Sequence, residues 1–209
     1  MNAFVSTLLS LHRWRGPLFL AAWLALLPSV RALTVSNVQY TASGGASPQL
    51  GNRVTVSGIA SYADPSGYAL CDTNGGPWSG IYVADVFHRP NLGDHVSLQG
   101  LVQEPNSMTV LTNVANYSVT ASNQAVPVTP ILARQVTNES YEGVLVRITN
   151  ITVRNTNYNN GRVFWQAGDS SGNFLVATRA PYRYIWRTNA TLTALQGLVW
   201  TNAAVSPRF

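Results

Sequence analysis

The chain has 209 residues, of which 13 are basic, 8 acidic and 46% hydrophobic, giving a formal charge of +5 and only one cysteine. That single cysteine excludes an internal disulfide framework and any multi-cysteine zinc or iron–sulfur site, and the apolar fraction excludes a disordered chain. The length accommodates one medium domain or two small ones, each able to bury a core.

All 13 basic residues are arginine. Three of them, Arg13, Arg15 and Arg31, lie in an N-terminal stretch that reads as a leader. His12, Arg13 and Arg15 precede the apolar run Leu18 to Leu27, and Pro28, Val30 and Ala32 follow at small-residue spacing. This is the layout of a secretory signal peptide over residues 1–32, cleaved after Ala32, with an uncleaved anchor as the alternative. The run is shorter than the roughly 20 apolar residues that span a bilayer, so no membrane span is expected after cleavage. The expected location is secreted, periplasmic or cell-surface.

The remaining sequence carries 10 arginines against 8 acids, a net +2, unevenly divided. Residues 33–138 have Arg53, Arg89 and Arg134 against five acids, a balance of −2; residues 139–209 have seven arginines against three acids, a balance of +4. Electrostatic attraction for a polyanion therefore belongs to the second half.

In chain order, Arg53 to Ala60 alternates branched apolar with small or polar residues, the period-two pattern of a strand with one buried face. Asp64-Pro65-Ser66-Gly67 is a turn. Short strands follow at Tyr68 to Cys71 and Ile81 to Ala84, and Asp94 to Val102 alternates again before Pro105-Asn106 turns the chain into Met108 to Val114. Residues 123–138, with Pro127 and Pro130, read as a linker carrying at most one helical turn near Ile131 to Gln135. A second set begins with a long strand, Tyr141 to Val153, whose apolar positions Val144, Val146, Ile148, Ile151 and Val153 change phase at Asn150, the mark of a bulge. Asn159-Asn160-Gly161 forms a hairpin turn into Arg162 to Ala167. Strands at Phe174 to Thr178, Thr191 to Val199 and Ala204 to Pro207 complete the set. No amphipathic helix of ordinary length is present. The expected fold is all-β, two tandem OB-like five-stranded barrels at 33–122 and 139–209.

The sequence resembles a known module at several ordered points. Val38-Gln39-Tyr40-Thr41, Ser47-Pro48, Gly51 and Val54-Thr55-Val56-Ser57-Gly58 look like the opening of the OB-fold module of secreted bacterial nucleases and related cell-surface proteins. Gly76-Pro77-Trp78-Ser79-Gly80-Ile81-Tyr82-Val83 and Leu92-Gly93-Asp94-His95-Val96, with Gly100 and Val102, match its next signatures. Tyr141-Glu142-Gly143-Val144-Leu145-Val146 resembles the start of a second OB-like unit, and Gly197 with Pro207-Arg208 its end. In those relatives the module sits beside a metal-dependent phosphodiesterase domain, onto which none of these residues maps. The resemblance thus implies a bacterial accessory or binding module with a secreted enzyme partner, and fold alone assigns no ligand.

Catalysis has little support in the residues. Asp85, His88, Asp94 and His95 are the richest cluster, and they read as loop-flanking turn residues with exposed histidines, since spacing alone specifies no metal site. Cys71 lies in an alternating strand and reads as a small buried hydrophobe. The expectation is a non-enzyme with neither cofactor nor metal. Binding has a better case, for Arg179-Ala180-Pro181-Tyr182-Arg183-Tyr184-Ile185-Trp186-Arg187 interleaves aromatic rings with guanidinium groups. Rings stack on bases while guanidinium groups meet phosphates, so Arg179, Tyr182, Arg183, Tyr184, Trp186 and Arg187 are candidates for single-stranded nucleic acid or another polyanion. Arg154, Arg162 and Trp165, on the preceding hairpin, extend the patch. Alternatively the three aromatics fill a barrel mouth and the arginines solvate its outside.

Two other readings remain. Carbohydrate binding would use Trp78, Tyr82, Trp165 or Trp186 as stacking platforms, and a structural or adaptor β-module would use none. A membrane β-barrel is disfavoured by strands shorter than the 9–11 residues a crossing needs. Asn116, Asn138, Asn150 and Asn189 each open an N-x-Ser/Thr sequon, read as chance occurrences in a bacterial protein.

Overall fold

The computed structural model describes residues 32–42, 44–159, 162–178, 187–200 and 204–207. The leader read from the sequence lies almost wholly outside these residues. No helix among the described residues is long and apolar enough to cross a membrane.

A one-turn helix, α1 (Val35–Gln39), precedes the first strand. Thr34 caps it, its side chain accepting the Asn37 N–H in a reciprocal capping box. Asp72 accepts the N–H groups of Val35 and Ser36 at 2.8 and 2.9 Å, satisfying two donors that a helix start leaves unpaired. The alternating sequence then forms β1 (Arg53–Asp64), β2 (Gly67–Cys71), β3 (Gly80–Val83), β4 (His95–Gln103) and β5 (Val110–Ala121). These close into a barrel in the order β1-β2-β3-β5-β4, with β3 and β5 parallel and the other pairs antiparallel. In β4, Val96, Leu98 and Val102 are buried inside while Ser97, Gln99 and Leu101 are half-buried, as the period of two requires. The Asp64-Pro65-Ser66-Gly67 turn is present: Asp64 accepts the N–H groups of Ser66 and Gly67 and the hydroxyl of Tyr82.

The second set is β6 (Thr129–Pro130), β7 (Leu145–Asn159), β8 (Arg162–Gly168), β9 (Asn173–Thr178), β10 (Thr191–Trp200) and β11 (Ala204–Pro207). Its neighbour relations repeat those of the first. β7 pairs with β8, β8 with β9, β9 in parallel with β11, β11 with β10, and β10 with β7. The short β6 adds in parallel to β7. The fold is therefore all-β and OB-like in its strand order. Asn150 adopts a positive φ of 54°, and Ile148 and Ile151, three positions apart across it, are both buried, so the phase change in the sequence marks a real break in alternation. The strand starts at Leu145, later than Tyr141, because Glu139–Tyr141 forms a 3-10 turn and Gly143 takes φ 70°. Residues 129–137 are not a free tether: Ile131, Ala133 and Val136 pack into the second core with Val146, Ile148, Trp165, Phe174 and Val176.

The first core gathers Val35, Val56, Tyr68, Leu70, Ile81, Leu98 and Leu111 among others. Tyr68 is buried, its hydroxyl without a partner among the described residues, and burial, with Asp85 and Tyr117 nearby, pushes its ionisation well up. An unpaired buried hydroxyl costs about 1–3 kcal/mol. Tyr68→Phe is therefore expected to raise stability by about 1 kcal/mol, measured as a higher urea midpoint at unchanged slope; a clear loss of stability would reveal a partner for the hydroxyl.

A third cluster joins the two sets of strands. Tyr62, Ala69, Tyr82, Met108 and Val110 of the first barrel pack with Leu198 of β10, with Trp200 against them. Tyr82 and Trp200 meet edge to face at 4.7 Å. Backbone contacts reinforce the junction, Trp78 N–H donating to the Ser140 carbonyl and Gly76 N–H to the Thr129 hydroxyl.

Candidate functional site

The strand register of the second barrel decides which arginines come together. Asn159 pairs with Arg162 across the β7–β8 turn, and Val163 pairs with Thr178, the last residue of β9. The chain thus leaves β9 beside Arg162. It re-enters the described structure at Arg187, whose carbonyl accepts the Ala190 N–H, while Asn189 and Ala190 bond the backbone of Val153 at 2.8 and 2.9 Å. Val153 pairs with Ala167, four residues along β8 from Val163, or about 13 Å of strand. Thr178 and the Arg187–Ala190 turn, the described residues nearest to 179–186, are consequently both bonded to the β7–β8 hairpin. Arg154, adjoining Val153, and Arg187 are both exposed, and among the described residues neither is paired with a carboxylate. Arg179, Tyr182, Arg183, Tyr184 and Trp186 lie outside the described residues, as does the side chain of Arg162.

Trp165 requires a correction. It belongs to the same hairpin but is 1% exposed, at the centre of the second core. Alternation on β8 sends Trp165 and Ala167 inward, so the ring is core and offers no stacking surface. The sugar-stacking set contracts for similar reasons. Tyr82 is buried against Trp200 and donates its hydroxyl to Asp64, while Trp78 is half-buried, edge to face with the exposed Tyr40 at 5.7 Å.

In the first barrel the acid and histidine cluster serves the β3–β4 loop. The buried Asp85 accepts Phe87 N–H and His88 N–H, and its second oxygen lies 2.6 Å from His88 Nδ1. The His88 ring stacks on Tyr117 at 4.2 Å. Asp94 accepts Asn91 N–H, and hydrogen bonds from the Ser122 hydroxyl and from Asn91 hold its carboxyl below the ordinary range. His95 pairs with the Thr120 hydroxyl at 2.7 Å. These groups are consumed in fixing a loop, and among the described residues no three histidine, cysteine or acidic side chains converge on a metal position. Cys71 is buried. A polar cleft of about 290 Å³ lies beside α1, lined by Thr34, Ser36, Ser57, Asp72, Asn74 and His95. Its carboxylate, Asp72, is already spent on the helix start.

The four sequon asparagines, Asn116, Asn138, Asn150 and Asn189, are all exposed. The residues that sequence reasoning missed lie at the junction, where Glu104, Glu139 and Glu142 each accept backbone N–H groups from a distant segment. The motif Tyr141-Glu142-Gly143 contained one of them, but no local signal names its partner.

No protein-family model matches the sequence, and no curated protein matches it. Solved structures similar in shape include a murine DNA-binding protein bound with double-stranded DNA, at 11% identity and a TM-score of 0.40 over 75% of this chain and 90% of that one. The Ifi202 HINa domain in complex with 20-base-pair double-stranded DNA gives 11% identity and 0.36 over 76% and 91%. The p204 HINb domain gives 9% and 0.31 over 67% and 78%. Likenesses of this size assign neither family nor ligand.

Proposed function

We propose that the chain is an exported, non-catalytic binding protein that holds single-stranded nucleic acid on its second barrel. One observation supports this reading: Thr178 and the Arg187–Ala190 turn, which flank a sequence that interleaves Tyr182, Tyr184 and Trp186 with Arg179 and Arg183, are bonded to the strands β8 and β7 that carry Arg162 and Arg154. Among the described residues the Arg154 and Arg187 guanidinium groups have no carboxylate partner, which favours their use for phosphate, and guanidinium pairs with phosphate bidentately. The rings supply a platform that tolerates any base. Export follows from the leader layout of residues 1–32.

The test is fluorescence anisotropy of a labelled single-stranded oligonucleotide across a salt series. Affinity is expected to fall steeply with salt, as counterion release demands. Trp186→Ala and Arg183→Ala are each expected to weaken binding about tenfold, since one stacked base is worth about 1–3 kcal/mol. Absence of binding at low salt, or unchanged affinity in both variants, would overturn the reading. Salt-insensitive binding of a neutral oligosaccharide would replace it with the carbohydrate alternative.

A further inference from the structure

Charge in residues 139–209 is segregated. The three acids there are turned to backbone donors: Glu139 and Glu142 accept the N–H groups of Gly45 and Thr109 from the first half of the chain, and Asp169 takes those of Ala133 and Ser171. Arg147, Arg154 and Arg187 are exposed, and among the described residues none of them has a carboxylate partner. Two of these arginines share β7. They stand seven positions apart, so strict alternation would send them to opposite faces of the strand. The break at Asn150, with its φ of 54°, resets the phase: Val146 and Ile148 before it and Ile151 and Val153 after it all enter the second core. Arg147 and Arg154 consequently both lie on the exterior, with the exposed Thr149 and the half-buried Thr152 between them. About 23 Å of strand separates the two positions. The Arg147 backbone is fixed from both sides, paired with Gln196 of β10 and with Pro130 of β6.

We propose that the exterior of β7 is a phosphate track, on which Arg147 and Arg154 grip the backbone of one strand of nucleic acid and set its path across the second barrel. The track rests on the nucleic-acid reading above and adds Arg147 to it, a residue outside the sequence that interleaves rings with arginines. Between the two arginines this exterior carries hydroxyl and amide side chains and no aromatic ring. Such a surface meets phosphate and sugar, which position a strand, and leaves the bases unread. Its contribution to affinity comes from release of counterions and is independent of base sequence.

Anisotropy titrations of the full chain with oligo-dT and oligo-dA of about 16 nucleotides, the upper site size for one such barrel, test the track across a salt series. Arg147→Gln is expected to lower the magnitude of the slope of log affinity against log salt by about 0.7, the loss of one phosphate contact to a single strand. The reduction should be the same for both oligonucleotides, and Arg147→Lys, which keeps the charge, should retain the wild-type slope. Arg53→Gln is the control, since it removes an equal charge from an exposed arginine of β1 in the first barrel and should leave the slope unchanged. Arg147 is exposed as well, so both glutamine variants are expected to keep the wild-type urea midpoint. A wild-type slope in Arg147→Gln overturns the track and leaves the nucleic-acid reading standing. An equal reduction in Arg53→Gln, or one confined to a single base sequence, also overturns it. Failure of the wild-type protein to bind either oligonucleotide overturns both readings.

Discussion

Trp165→Ala is expected to destabilise the chain by about 4 kcal/mol, within the 3–5 kcal/mol range for truncating a buried aromatic. The ring sits on β8 between the register partners Thr156 of β7 and Val176 of β9, in the cluster that also holds Val153, Phe174 and Leu195. Strands on both sides limit how far the site can collapse, which keeps the cavity cost high. One detail moderates the native contribution: the indole N–H is buried and has no partner among the described residues. Trp165→Phe retains most of the apolar volume and removes that unpaired donor, so it should lose much less than the alanine variant. Urea unfolding of the two variants measures the difference. A Trp165→Ala protein that keeps wild-type stability but loses oligonucleotide affinity would place the ring at the surface and contradict its burial.

The contrast between Trp165 and its neighbours shows what alternation does and does not reveal. Period two sorted β4 and the start of β1, because Val54, Val56, Val96, Leu98 and Val102 face a core that exists within one barrel, whereas from Gly58 to Tyr62 both faces of β1 are buried. The same rule cannot say which of two faces is the core when both carry rings, and on β8, with Phe164 and Trp165 on opposite faces, it gives no warning that Trp165, expected in the binding patch, is core. Strand ends were less legible where pairing continues without a buried face. β5 runs on to Ala121 through the mostly exposed residues 113–121, and β7 on to Asn159 through a polar asparagine-rich stretch, each held by its neighbour's backbone. The five-residue α1 is too short for a helical period to register, and its first two N–H groups are satisfied by Asp72, more than thirty residues away. As for the binding site, the arginines and rings were visible in the sequence. Their grouping was not, since Arg154 and Arg187 reach one region only through the register of Val153 with Ala190 and Ala167.

Gly80→Ala is the second large effect expected, and it explains why two separate sequence signatures each contain a glycine. A Cβ on Gly80 would lie 2.1 Å from the carbonyl oxygen and 2.3 Å from the carbonyl carbon of Gly143; in the other direction a Cβ on Gly143 would lie 2.8 Å from the Gly80 oxygen. The β3 backbone and the lead-in to β7 therefore touch directly, and no flexible side chain stands between them to yield. Both sides are also pinned. Gly80 accepts Gln39 Nε2 at 2.7 Å, and Gly143 N–H donates to Val199 at 3.0 Å. An added methyl must push these strands apart and strain the Tyr82–Trp200 contact, at a cost of about 3 kcal/mol, the upper part of the usual overpacking range. Gly172→Ala provides the control: its Cβ would find nothing closer than 3.5 Å, and it should change stability by no more than about 0.5 kcal/mol. Because Gly80 lies at the junction, its variant should also perturb the Thr109 amide, while the core of the second barrel around Trp165 keeps its native resonances. Stability equal to that of Gly172→Ala would mean that the two backbones do not meet at these glycines.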